Sequence, residues 1–490
     1  MRAPVGLNIS EREIMRMSRW VLATLGAAVL VVAPAEMQAR QMNFYIPPNC
    51  ELDTQHYLVR NAELYVKAAT ETSDPEERAG RVADAIRVLQ DALDQGEMEN
   101  AAVWYFLARA YALGEDHPGT DSSFSKAEAL EPSCADDVDT HRRFIWPVLF
   151  DEGIAAYEID DLVTAEAKLS QANVYRHNEP NIPFYLGMSR VRSGQNAAAI
   201  DPFKVTVQKS EPDGPHSEIH QIAFFNVARL YHMTQQWDSA AVWYNSYRTL
   251  MPDDVEAITG LAIALESGGR LEQAMAAYDT VVARAELVRD VDLFRAGVVF
   301  FQARRFDAAV GAFQAGLQKN PHYRDGIYNL TQTYLALANP DDPEDYEPSP
   351  EELAERTEAA TAMLENAKQL NEIDPANENA KRLMAAAYQL IGEIDSTQAL
   401  MDEIESMPFE VNVTAFQAIP GGFAIQGTVQ NKQAESVEIP AIVVEFLDVS
   451  GAVVATEVFE PGTLSASGST RFDFRPTLEG IAAWRYRIGS

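Results

Sequence analysis

The stretch AAVWYFLARAYALGEDHPGTDSSFSKAEALEP, residues 101–132, decides how the rest of the chain is read. Trp104, Leu107, Ala108 and Tyr111 stand three, one and three residues apart, which places them on one face of an α-helix. Phe124 and Ala127 follow at the offsets of a second helix, and Pro132 stands where that helix has to stop. Two short helices with one apolar stripe each bury little by themselves, so a single copy has to stack on others.

Other copies are present. The frame restarts at residues 146, 180, 221, 255, 290, 324 and 378, carrying small residues at its eighth position (Gly187, Ala228, Ala262, Gly297, Ala385) and large ones at its twenty-fourth (Leu169, Phe203, Tyr244, Tyr278, Phe313). Small residues let the two antiparallel helices approach, while large ones wedge between pairs. The pattern resembles the tetratricopeptide-repeat (TPR) family, W-x2-L-G-x2-Y, A-x3-F, P, over more than half of the chain. The resemblance implies a mainly α fold, a right-handed superhelical α-solenoid of helix pairs. The solenoid is assigned to residues 56–405, with 56–95 as a preceding pair restarted at Ser73-Asp74-Pro75-Glu76.

Departures from the 34-residue step mark loops. The largest holds Asn339-Pro340-Asp341-Asp342-Pro343-Glu344-Asp345, and Ser349-Pro350-Glu351-Glu352 then reads as an N-cap, a proline at the first helical position and first-turn acids. Pro202 falls inside a second helix and is expected to kink it.

In TPR proteins the fifth position of the first helix faces the inner, concave groove. Here it reads Tyr105, Phe150, Phe184, Phe225, Thr259, Phe294, Tyr328 and Arg382; Phe106 and Tyr185 stand at position six, Arg109 and Arg229 at position nine. Aromatic side chains on an open surface are the usual anchors of a protein partner. Three outcomes are open: the rings receive a polypeptide, they pack on neighbouring repeats, or the protein's own N-terminal segment fills the groove. With Arg109, Arg192, Arg229 and Arg295 near the same face, a partner segment mixing apolar anchors with acidic residues would suit it. The TPR subgroup that clamps acidic C-terminal peptides uses Lys at position five, where none occurs here.

After Pro408 the period changes from helical to alternating. Val411 to Phe416, Phe423 to Gln430, Ile439 to Asp448, Ala452 to Phe459, Ser469 to Phe474 and Trp484 to Ile488 are strand candidates, separated by turns such as Pro420-Gly421-Gly422 and Pro461-Gly462. Short strands at this spacing argue a small all-β sandwich over 409–490. Gly427-Thr428-Val429-Gln430-Asn431, Phe446-Leu447-Asp448 with Gly451, and Leu464 with Gly468 and Phe472 resemble the FxLYD-type Ig-like domains of bacterial envelope proteins. That resemblance implies a binding or spacer module without a catalytic set.

At the other end, Arg12, Arg16 and Arg19 precede an uncharged run from Trp20 to Val32, and Ala33-Pro34-Ala35 supplies small residues at a cleavage point. Residues 1–35 read as a signal peptide, and the run is too short to span a bilayer. The expectation is an exported protein, periplasmic or extracellular, with no integral span after cleavage and a mature N-terminal segment over 36–55. Cys50 and Cys134 are the only cysteines; an oxidising compartment would let them pair, and the alternative is two separate thiols.

The formal net charge of −34 argues against nucleic acid as a partner, because phosphate binding needs clustered Lys and Arg. No Gly-rich phosphate loop, G-x-S-x-G elbow or paired-Cys metal motif occurs, so no catalytic residues, cofactor or metal are assigned. His216 and His220 share a helix face, yet they follow a Pro-Gly-rich turn and read as exposed helix-start residues. The Asp341 to Glu347 loop lacks the spaced ligands of an EF-hand. The leading expectation is a non-enzymatic protein-interaction scaffold of the cell envelope. The rivals are a chaperone-like subunit of an export or envelope-assembly complex and a metal-dependent enzyme built on the two histidines.

Overall fold

The computed structural model describes residues 45–175, 179–343 and 345–489. The signal expected over 1–35, and residues 36–44 of the segment after it, lie outside them. Two compact units meet in sequence between Leu250 and Met251.

The first unit is a run of antiparallel helix pairs: α1 (Tyr57–Glu71) with α2 (Pro75–Asp94), α3 (Ala101–Leu113) with α4 (His117–Leu130), α5 (Ala135–Glu158) with α6 (Leu162–Tyr175), α7 (Asn181–Arg192) with α8 (Asn196–Lys209), and α9 (Ser217–Met233) with α10 (Trp237–Leu250). Local chemistry sets the starts. Asp74 accepts from the Glu76 and Glu77 amides at 2.9 and 3.3 Å, with Pro75 at the first helical position, which satisfies donors the helix leaves free. Pro202 sits inside α8, which nevertheless runs from Asn196 to Lys209 without a break. Helix approach is set by the glycines: a Cβ on Gly153 would stand 2.8 Å from Leu169, and one on Gly187 3.0 Å from the Phe203 ring.

The second unit continues with α11 (Val255–Ser267), α12 (Leu271–Val282), α13 (Asp290–Gln302), α14 (Phe306–Lys319), α15 (Arg324–Ala338), α16 (Pro350–Ile373), α17 (Glu378–Leu390) and α18 (Ile394–Ser406). The cap predicted at Ser349 is a full capping box. Ser349 Oγ accepts from the Glu352 amide at 3.2 Å, and Glu352 accepts from the Ser349 amide at 2.7 Å.

Eight strands follow: β1 (Phe409–Ile419), β2 (Gly422–Asn431), β3 (Val437–Ile439), β4 (Ile442–Leu447), β5 (Val453–Phe459), β6 (Gly462–Leu464), β7 (Ser469–Phe474) and β8 (Ala483–Ile488). They form open antiparallel sheets in the orders β1-β2-β7, β3-β6 and β5-β4-β8. The short β3 and β6 carry too few residues to show an alternation, and Ile439 to Asp448 divides between β3 and β4. Gly427 is needed where it stands, since a Cβ there would lie 2.3 Å from Phe472.

The expected boundary at 408–409 separates the elements but not the core. Ile327, Met363, Leu370 and Leu383 of the helices share one buried cluster with Val411, Ile425, Phe446, Trp484 and Tyr486 of the strands. Polar contacts reinforce the junction. The Val411 amide donates to the Ala376 carbonyl at 2.9 Å, and the Ala376 amide donates to the Tyr486 hydroxyl at 2.8 Å. The fully buried Asp374 carboxylate beside them accepts from Arg324 Nη2 at 3.0 Å and Nε at 3.2 Å. The chain is therefore a mainly helical solenoid of helix pairs whose last repeats and C-terminal strands have a common interior.

Candidate protein-binding surface

Most of the position-five aromatics are interior packing. Tyr105, Phe184, Phe294 and Tyr328 are 0, 1, 1 and 7% exposed, and Thr259 is 2% exposed. The reason is visible at Phe294, whose ring fills the space over two glycines; a Cβ on Gly316 or Gly326 would come within 2.6 or 2.5 Å of it. Phe184 packs on Phe203 with ring centroids 6.0 Å apart. Four of the rings expected to line the groove thus have no surface to offer. Phe106 at position six is also fully buried.

Phe150 and Phe225 are half-buried, and Arg382 is exposed and paired with Glu378 at 2.5 Å. Phe150 belongs to an aromatic cluster on the first helices of the first unit. Its centroid lies 6.2 Å from Trp146 and 5.9 Å from Tyr185, and Tyr185 lies 6.1 Å from Tyr157. Burial pushes the Tyr157 and Tyr185 hydroxyls above their usual range, so both rings stay neutral. Phe225 stands apart from that cluster against Tyr244 and Tyr247, at 5.9 and 5.5 Å.

The arginines differ from one another. Arg192 stacks on Tyr157 at 5.0 Å and pairs with Asp160 at 2.9 Å, and Arg295 pairs with Glu266 at 2.7 Å. Neither offers a vacant positive charge to an acidic partner. Arg229 is half-buried. Arg109 is 7% exposed and is held by the protein's own N-terminal segment. Its Nη1 donates to the Ile46 carbonyl at 2.7 Å, and its guanidinium lies 4.5 Å from the Tyr45 ring centre and 5.9 Å from that of Tyr105. Tyr45 in turn donates to Glu63 at 3.0 Å. This strap is tied down by a Cys50–Cys134 disulfide, 84 residues apart in sequence.

Beneath Arg109 lies a network that sequence reasoning missed. The Tyr105 hydroxyl donates to the Asp137 carboxylate, and His141 Nε2 stands 3.0 Å from the same hydroxyl. Burial, then the Arg109 charge, hold the His141 pKa down to about 4 against the opposing pull of Asp137. The repeat frame restarts at 146, so Asp137 and His141 precede it, although their i, i+4 spacing on an extended first helix was the available signal.

The histidine pair is not exposed as expected. His220 is 5% exposed, with Nδ1 at 3.0 Å from Ser210 Oγ, while His216 occupies the N-cap of α9. In the acidic loop, Asp342 pairs with Arg356 at 2.6 Å and Asp341 with Arg304 at 3.3 Å. Among the described residues, no group of three or more His, Cys, Asp or Glu converges as a metal site, and no helix is long and apolar enough to cross a membrane.

A tetratricopeptide-repeat family model matches residues 76–119 and 259–324. No curated protein matches the chain. One similar solved structure is YrrB, described as a TPR protein with an unusual peptide-binding site; it is 14% identical, with 37% of this chain and 89% of that one covered at a TM-score of 0.31. The C-terminal part of a TPR repeat-containing protein from Cytophaga hutchinsonii is 11% identical over 53% of this chain and 95% of that one, at 0.37. PilW, described as a widely conserved type IV pilus biogenesis factor, is 19% identical over 48% and 98%, at 0.29. Likeness at this level does not extend to function.

Proposed function

We propose that this TPR solenoid is a non-enzymatic protein-interaction scaffold of the cell envelope that receives a polypeptide on the first-helix face of its first unit. The observation that carries the reading is the half-buried array of Phe150, Tyr157 and Tyr185, with Phe225 further along the same unit. Rings fixed by edge-on neighbours keep part of their area open and lose little entropy when a partner covers it. The sites are Phe150, Tyr157, Tyr185 and Phe225.

Placement in the envelope is supported by the Cys50–Cys134 disulfide, a bond that persists in oxidising compartments, together with the signal-like residues 1–35. We read the C-terminal strands as an FxLYD-like Ig-type module that caps the last repeats. The test is a pull-down from the envelope fraction with wild type and with Tyr185→Ala plus Phe225→Ala, followed by mass spectrometry. A specific protein recovered by wild type and lost by the variant, with helical circular dichroism retained, is the expected outcome. Recovery of the same proteins by both rejects the reading.

A further inference from the structure

We propose that the first unit contains a pocket for a small apolar carboxylate, with Arg109 as its counter-charge. A cavity of about 200 Å³ opens beside the strap, walled by Ile46, Arg109, Leu113, Phe124, His141 and Phe144. A dry cavity of about 150 Å³ holds a benzene ring, so this volume suits a branched aliphatic tail of five or six carbons together with its acid group.

Charge selects the head group. Arg109 is 93% buried by its 7% exposure, yet no carboxylate lies in ion-pair range of it among the described residues. By contrast Arg324 and Arg142, with side chains 11 and 16% exposed, grip carboxylates at 3.0 and 2.8 Å. The nearby Asp137 accepts from the Tyr105 hydroxyl. Arg109 has five N–H donors; one meets the Ile46 carbonyl at 2.7 Å, the Tyr45 hydroxyl also takes a hydrogen bond from the guanidinium, and the Tyr45 and Tyr105 rings lie 4.5 and 5.9 Å from it. A bidentate carboxylate would give this guanidinium the charge-assisted hydrogen bonds that no side chain in ion-pair range supplies.

The remaining walls fit the tail. His141 stacks on Phe124 at 5.6 Å and 15°, and because it is neutral near pH 7 it adds an apolar face rather than a second cation. Ile46, Ala112, Leu113, Phe144 and Ile145 extend the apolar lining, Phe144 being 47% exposed, and the Thr70 hydroxyl on the same wall donates to the Val66 carbonyl at 2.8 Å. An acid of this shape exists as a free small molecule and as the terminal residue of a polypeptide. The pocket does not require the aromatic array, and the two stand or fall separately.

The test is isothermal titration of the full chain with 4-methylpentanoate, 4-methylpentanamide, acetyl-Gly-Gly-Leu and the C-terminal amide of that peptide. The acids are expected to bind with Kd on the order of millimolar for about eight buried heavy atoms, and the amides at least tenfold more weakly. A peptide acid that binds more tightly than the free acid assigns the pocket to a polypeptide C-terminus; equal affinity assigns it to free acids. Arg109→Gln should abolish the preference for acid over amide. Ala112→Leu, which fills the cavity and leaves the guanidinium in place, should abolish binding with helical content unchanged, so the outcome does not depend on the Arg109 variant folding. Acid and amide binding alike, no saturable heat from either acid, or wild-type binding by Ala112→Leu would overturn the proposal. Any of these leaves partner capture by Tyr185 and Phe225 unaffected.

Discussion

Gly297 and Phe294, three residues apart on α13, show what a sequence frame carries and what it does not. The eighth position was legible as a small residue because helix approach demands it, and a Cβ on Gly297 would stand 2.6 Å from Phe313. Gly297→Ala is expected to destabilise the protein by about 1–3 kcal/mol in chemical denaturation, through overpacking. The fifth position was legible as aromatic but not as buried. The space that takes the Phe294 ring is made by Gly316 and Gly326 on other helices, and spacing along one helix does not report it. Phe294→Ala should therefore cost about 3–5 kcal/mol, as a core truncation does, and a melting curve unchanged by it would restore the ring to the open groove. His141 makes a pH prediction. Its pKa is about 4 when folded and 6.5 in the unfolded chain, so the unfolded state binds more protons between those values. Stability is complete above pH 6.5 and falls as pH drops towards 4, by roughly 3 kcal/mol, and His141→Gln should flatten that slope.

Among elements, those fixed by local chemistry could be read directly. Ser349-Pro350-Glu351-Glu352 begins α16 as expected, because an N-cap needs only its own first turn. Ser349→Ala should lower the melting temperature modestly, the loss of one cap costing about 1 kcal/mol. The Cys50–Cys134 bond is the opposite case. Eighty-four residues separate the partners, and only the folding of α1 to α4 brings their Cα atoms to 4.9 Å. In the chain-entropy model a closure of that length contributes about 4.5 kcal/mol, so Cys50→Ser should lower the denaturation midpoint by a corresponding amount. The same variant should raise proteolysis near Tyr45 and Ile46, since the strap would then be held mainly through Arg109. Unchanged proteolysis would place the anchoring of the strap in the Arg109 and Glu63 contacts instead of the disulfide.

At the scale of the molecule, the change from helical to alternating pattern located β1, β2, β5, β7 and β8 to within three residues, ran β3 and β4 together and missed the short β6, and it gave no sign that the strands share an interior with the last repeats. Ile373, Leu383, Trp484 and Tyr486 occur in segments that each look self-sufficient, and only the fold joins them. Ending the chain at residue 408 should leave that helical surface uncovered and the product prone to aggregation, where an independent module would be removable without loss of solubility. The partner-binding reading likewise depends on one face being used and the other not. Tyr185 lies on the first helix of its pair, whereas Val242, 61% exposed, lies on a second helix of the same unit. The most direct measurement is site-specific photo-crosslinking in cells, with a photoreactive phenylalanine analogue placed at residue 185 or at residue 242. A discrete protein adduct is expected from position 185 and none from 242; an adduct from 242 with none from 185 would contradict partner capture on the first-helix face.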